Sequence, residues 1–554
     1  MRLRTALGVF LTLGLAACAA PAAPPGPNAG EQELKETTQP LEGAQCELGK
    51  EHWRTAGPPK RGGVWNIAGQ APHMDPTAGG GRFTYHSGAM QYLVQPRACF
   101  YADMAMVPSL AKAWQVSPDG RAWAFQLRDD VKWHNLPPVN GRPFTSADVA
   151  WSVEHQKGGG AMRTFWQDVT VETPGPHAVV FRLKEPFAEF FTQVGDERNV
   201  MLAREVKEQV GDYKGSLIGT GPYMFKQFNP DQLFVLQRNP DYYEMGEDGK
   251  ALPYLDEIHL IHFPDTAAEL AATRTGQLDR NNNTAFRKHE FDALKQSNPE
   301  LQPFPDLAAN VYGVWMNNSI PPFSDVRVRK AISLALDRDD LIGVHQGGAV
   351  YGGFQPAATG GEHTWPQDKL RQVFKKDLER ARQLLKEAGF TPNPDKPFVM
   401  KTGRSYVEEL EVVQNQLGAI GIHGRIEPPA SNAVTPIISK GDWDIAYGPF
   451  GGGRLPDFWL GQVLRSGSSR NPTRWGDPKL DGLIDAQVRE MDPEKRKQQL
   501  AQIQERLLEE LPWVPAITRV YYRFDSCQTR NMRPPHNSLN TWGLVHAWLD
   551  PSGC

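Results

Sequence analysis

Apolar and polar positions along the chain follow two different periods, and the change falls near Pro264. Before it, alternation predicts strands. Val64–Ala68 reads as a first strand, followed by a loop through Met74, Asp75 and Pro76. Between Trp114 and Trp133 the pattern is two-fold: Ser117-Pro118-Asp119-Gly120 is a turn, and Trp123, Phe125 and Leu127 share one face of the next strand. Val179, Phe181 and Leu183 alternate in the same way, and Ile258–Phe263 makes a further strand. Pro143–Val149 reads as a turn into a helix capped by Thr145 or Ser146.

After Pro264 the apolar spacing lengthens to that of helices. Asp325 caps a helix carrying Ala331, Ile332, Ala335 and Leu336. Leu378, Ala381, Leu384, Leu385 and Ala388 line one face of another, which Gly389 is placed to end. Asp492-Pro493 is an N-cap with proline at the first helical position, and the stripe Leu500, Ile503, Leu507, Leu508, Leu511 stops at Pro512. Helices alternating with short strands imply an α/β fold. No internal repeat or heptad array is present.

Composition sharpens this picture at three points. The 554 residues suggest three or four domain-sized units. With 52 glycines and 46 prolines, turns are dense. The balance of 60 basic against 64 acidic residues argues against nucleic acid as a partner. At the N-terminus, Arg2 and Arg4 precede an apolar run of about twelve residues, Ala6–Ala17, too short to span a bilayer and of secretory-signal form. Leu15-Ala16-Ala17-Cys18 resembles the bacterial lipobox, in which Cys18 is lipidated; an ordinary signal with a chance cysteine is the alternative. The Pro/Ala-rich segment Ala19–Gly30 suits a tether. Export leaves Cys46, Cys99, Cys527 and Cys554 outside the cytoplasm, free to form two disulfides in three connectivities or to remain thiols.

From Met106 onward a series of segments follows the order of one family. Val107–Trp114, Ser117–Gly120, Phe125–Arg128, Val131–His134 and Pro143–Thr145 come first. Phe181–Leu183 with Glu185–Phe187, the turn Gly219-Thr220-Gly221-Pro222-Tyr223, and Asn239–Tyr243 come next. Pro322–Ile332 and the helix end Lys386–Phe390 complete the series. Across roughly residues 62–545 the chain resembles the extracellular solute-binding proteins of family 5, the oligopeptide, dipeptide and nickel receptors of ABC importers. The resemblance implies a two-lobed, clam-like α/β fold of periplasmic-binding-protein type II, with an extra α/β subdomain inserted in lobe one. It implies a signal peptide over 1–17, a lipidated Cys18 and tether over 18–61, lobe one over 62–265, lobe two over 266–515 and a return segment over 516–554. The crossings would lie near Pro264–Thr266 and Pro515–Tyr521, and ligand binding would favour the closed state. The implied protein is a monomeric, exported receptor, anchored by lipid to the outer face of the cytoplasmic membrane or held in the periplasm. It would deliver a peptide, oligosaccharide or metal chelate to ABC permease subunits, with no catalytic step and no cofactor.

In this family an aspartate in a second-lobe loop holds a peptide's amino terminus. The matching loop here runs from Ala446 to Trp459, and the aspartate's place falls among Gly451, Gly452 and Gly453, with Arg454 beside them. A buried ammonium without a counter-charge is costly, so the loop favours an anionic, polyhydroxy or amidated ligand; a slipped register would let Asp457 serve instead. Tyr447 and Trp459 flank the loop and are placed to stack on a ligand or to pack in the core. Trp315 and Asn317 follow the strand-like Val311–Val314, resembling a cleft-lining segment. Tyr85, His86 and Met90 sit where the family's first-lobe loop enters the cleft. His259 and His262, three apart in a strand, point to opposite faces and make no joint metal site. No G-x-S-x-G elbow, H-E-x-x-H motif or P-loop occurs, and a secreted hydrolase is the enzyme alternative.

Overall fold

The computed structural model describes residues 57–69, 74–76, 88–96, 106–160, 162–196, 198–281, 286–308, 310–355, 364–429, 437, 440–451, 456–468, 470–532 and 541–554. Cys18, Cys46, Tyr85, His86, Cys99 and Gly452–Arg454, at which the sequence sets expectations, lie outside them.

Among the described residues, two four-stranded sheets build most of the first lobe. In one, Val64–Ala68 pairs in parallel with Glu257–Ile261, which continues antiparallel to Leu233–Arg238 and Tyr223–Asn229. Trp65, Ile67, Ile258 and Leu260 turn to the core, as alternation requires. The second sheet is antiparallel, in the order Ala111–Val116, Ala122–Leu127, Ala178–Leu183, Val169–Gly175. Helix Ser146–Gly158 covers it, and its start is fixed by the Thr145 N–H donating to the Asp148 carboxylate at 2.9 Å. Trp123, Phe125, Trp166, Phe181 and Phe190 are buried together, ring against ring. Each buried phenylalanine contributes about 1.5–3 kcal/mol, and through Phe190 the cluster anchors the short helix Phe190–Val194.

A larger mixed sheet forms the second lobe, in the order Gln302–Leu307, Trp513–Asp525, Asn310–Met316, Ile445–Gly451, Phe398–Lys401, Gly424–Ile426, with Ala349–Tyr351 also on the long strand. One face packs on helices Val326–Ala335, Leu378–Glu387 and Val407–Gly418. The other packs on Pro478–Arg489 and Pro493–Glu510. The second face gathers Trp315, Trp443, Trp459 and Trp513.

The lobes are tied where the chain crosses. Asp265 caps helix Thr266–Arg274 by accepting from the Ala268 N–H at 2.8 Å. Arg280 bridges Ile67 of the first sheet and Asp525 at the end of the long strand, and its buried guanidinium holds the Asp525 carboxylate with bonds of 2.5 and 2.7 Å. The long strand keeps its pairing with Gln302–Leu307 as far as Asp525. Beyond it the chain rejoins the first core through Met532, Leu544 and Ala547, and a disulfide joins Cys527 to Cys554. Among the described residues no helix is long and apolar enough to cross a membrane.

Candidate functional site

The lobe-two strands fix which of their ends faces the first lobe. Gly451 stands opposite Asn310, and Ile445 opposite Met316. The long strand leaves toward lobe one at the Gly451 end. Strand Phe398–Lys401 runs parallel to Ile445–Gly451, so the turn Arg404–Tyr406 after it opens at that same end.

A cavity of about 430 Å³ lies there, where the two crossings meet. Thr266 borders it at the first crossing, Arg519 and Tyr521 at the second, and Phe286 from lobe two. Arg404 and Glu408 complete its mouth. Behind it is a buried charged cluster. The Arg519 guanidinium lies 4.5 Å from the Tyr312 ring centre and 4.8 Å from that of Tyr406, and pairs with Glu409. The Glu409 carboxylate is 3.0 Å from His345 Nε2. Burial opposes its ionisation, yet the His345 hydrogen bond and the Arg519 charge hold it below the ordinary range. Tyr447 is buried beside this cluster, and burial, with the Glu409 charge, raises its phenol well above the usual value. Its hydroxyl has no hydrogen-bond partner among the described residues.

The residues singled out from sequence fall in different places. Gly451 ends its strand at the cavity side. Trp315 and Asn317 lie at the opposite end of the sheet: Trp315 pairs with Ala446, five residues or about 17 Å from the Gly451 end. Trp315 stacks on Trp513 at 5.5 Å, and the Asn317 side chain accepts from Ser319. Trp459 is buried in the same core. Met90 is also buried, under the turn Gly219–Tyr223. Glycine is needed in that turn: a Cβ on Gly219 would stand 1.9 Å from the Ala89 carbonyl oxygen. Asp457 faces the inserted subdomain, its N–H pointing at the Glu189 carboxylate from 3.3 Å. Sequence reading passed over Arg404, Glu409 and Arg519. The one available signal was Arg519 itself, a cation inside the otherwise apolar strand Trp513–Val520.

Two α/β lobes joined by paired crossings, with a cavity at their junction, define a clam-like binding protein of periplasmic type II. The chain belongs to the bacterial extracellular solute-binding proteins, family 5, whose middle-region model matches residues 105–471, more than half of its length. It is 25% identical over 478 residues to di/tripeptide-binding protein 2 of Pseudomonas aeruginosa, covering 80% of this chain and 86% of that one. The fold matches the periplasmic binding protein DppA of Helicobacter pylori, solved with the peptide STSA, at a TM-score of 0.74 and 22% identity, over 88% of this chain and 98% of that one. It also matches AgaA of A. tumefaciens R10, solved with agropinic acid, at 0.73 and 22%, over 88% and 99%. Family members are solute-binding receptors found outside the cytoplasm.

Proposed function

We propose that the protein captures a peptide or another small polar solute between its lobes and hands it to an ABC permease, acting without catalysis. Family membership carries this reading, and the cavity supports it, because a ligand there lies against both crossings, about which the lobes turn on closure. Lobe one spans 62–265 and is rejoined by 516–554, and lobe two spans 266–515. The leader 1–17, lipidated Cys18 and tether 18–61 hold the monomer at the outer face of the membrane. Ligand contacts come from the first-lobe loop with Tyr85 and His86 and from Gly451–Arg454.

That loop carries no carboxylate between Gly448 and Leu455, which favours an anionic, polyhydroxy or amidated cargo over a free peptide amine. Titration calorimetry with Ala-Ala at millimolar concentration tests this point. No heat is expected, and micromolar binding would place the clamp elsewhere, at Asp457 first.

A further inference from the structure

A second contact between the lobes lies away from the crossings. The inserted subdomain reaches lobe two through the segment just before helix Phe190–Val194. The Ala188 N–H donates to the Val488 carbonyl at 2.8 Å. Next to it Glu189, 2% exposed, receives the Arg496 guanidinium and faces the Asp457 N–H. Arg496 is aimed by the buried Gln487, whose side-chain oxygen accepts from it at 3.1 and 3.2 Å. Gly120 and Pro186 complete the seam against Met491. Glu189 and Arg496 are 307 residues apart in sequence, and they meet only when subdomain and lobe two are together.

We propose that Glu189, Arg496 and Asp457 form a clasp that holds the inserted subdomain on lobe two in the closed protein, and that a bound proton completes it. The clasp rests on the reading that the lobes open and close. The Arg496 guanidinium pairs with the Glu189 carboxylate, and the Asp457 N–H stands 3.3 Å from that same carboxylate, so a second carboxyl lies at the seam with no cation paired to it among the described residues; one proton removes its charge. Burial raises the Glu189 carboxyl, and the Arg496 charge and hydrogen bond and the Asp457 N–H oppose that rise; with a cation in contact, Glu189 is assigned as the ionised member. The Asp457 carboxyl borders a cavity of about 470 Å³ with Phe165 and Phe187 and holds the proton.

The other charged groups around Asp457 are accounted for. Arg465 and Asp485 pair with each other at 2.6 and 3.0 Å. Arg198 is bound to Asp196, and Glu185 to Arg121. Asp168, Lys184 and Arg489 line the same cavity. Burial first, and then the Glu189 charge, pushes Asp457 up to about 7, whereas an opened seam returns it to the ordinary value near 3.9. Closing therefore takes up a proton. The stabilisation of the closed state is complete below about pH 4, is lost as pH rises through about 7, and is level above that.

Hydrogen exchange of the Ala188 and Asp457 amides in the full chain as isolated, read from pH 4.5 to 8.5 and corrected for intrinsic exchange, tests the clasp. Protection should fall up to about tenfold per pH unit and level off above pH 7. Asp457→Asn should show no such trend and keep the acid-side protection throughout. Arg496→Gln, which leaves Glu189 buried without its cation, should lose at least tenfold at every pH, while the Phe181 amide of the subdomain sheet reports an intact fold. Amides unprotected in the wild type at every pH, a flat wild-type profile, or a trend surviving in Asp457→Asn would overturn the proposal. Should Arg496→Gln fail to fold, Asp457→Asn decides. The predicted profile in a protein that no solute stabilises would leave the clasp standing and remove the transport reading.

Discussion

His134 is held as a neutral ring by two bonds to one turn. Its Nδ1 accepts from the Gly219 N–H at 3.2 Å, so Nε2 carries the hydrogen and donates to the Gly221 carbonyl at 3.0 Å. Burial pushes the imidazole down to about 4. An unfolded chain takes up this proton near pH 6.5, so the folded state's advantage is complete above that value. It is lost as pH falls from about 6.5 toward 4, by about 3 kcal/mol. Denaturant unfolding of the first lobe at pH 7.0 and 4.5 should show most of this loss in the wild type and about 2 kcal/mol less of it in His134→Gln. Equal pH dependence in both proteins would contradict the assignment. Residues 134 and 219–223 belong to the motifs most readily recognised in the sequence, and they seat the loop at Ala89 and Met90.

At the level of elements, the disulfide closing the C-terminal return segment has the most direct consequence. Linking Cys527 to Cys554, 27 residues apart, restricts the unfolded chain and contributes about 3–4 kcal/mol on the loop-closure model. Calorimetry with a reductant, or of Cys554→Ser, should lower the first-lobe transition by several degrees, and an unchanged transition would show that the return segment is held by packing alone. Helices with one apolar stripe and a side-chain cap were legible in the sequence. Asp377 caps Leu378–Glu387 and Asp492 caps Pro493–Glu510, each accepting backbone N–H bonds, and Gly389 takes the left-handed conformation past its helix end. The extent of strand Trp513–Asp525 was not legible. Trp513–Thr518 are all buried, so the strand shows a continuous apolar run rather than alternation. Strand direction was equally hidden: Trp315 and Asn317 have the residue types of a binding surface, but pairing with Ala446 and Asp444 sets them at the far end. The cavity and the seam join residues from distant segments, which only the folded topology brings together.

For the whole molecule, the family, the crossings and the junction cavity describe one device, a pair of lobes whose closed form is selected by what lies between them. On the proposed reading, solute capture and the clasp act on that one equilibrium from different sides: cargo would stabilise closure at the crossings, and the proton at the subdomain seam. A solute that binds only the closed state also raises the unfolding temperature, by an amount that grows with the logarithm of its concentration over its Kd. The most direct measurement is small-angle scattering of the cargo-stripped protein before and after return of the small molecule released from it on denaturation, with that molecule followed by mass spectrometry. The account predicts a smaller radius of gyration and a molecule recovered chemically unchanged. An unchanged radius, or conversion of the molecule to a product, would contradict it.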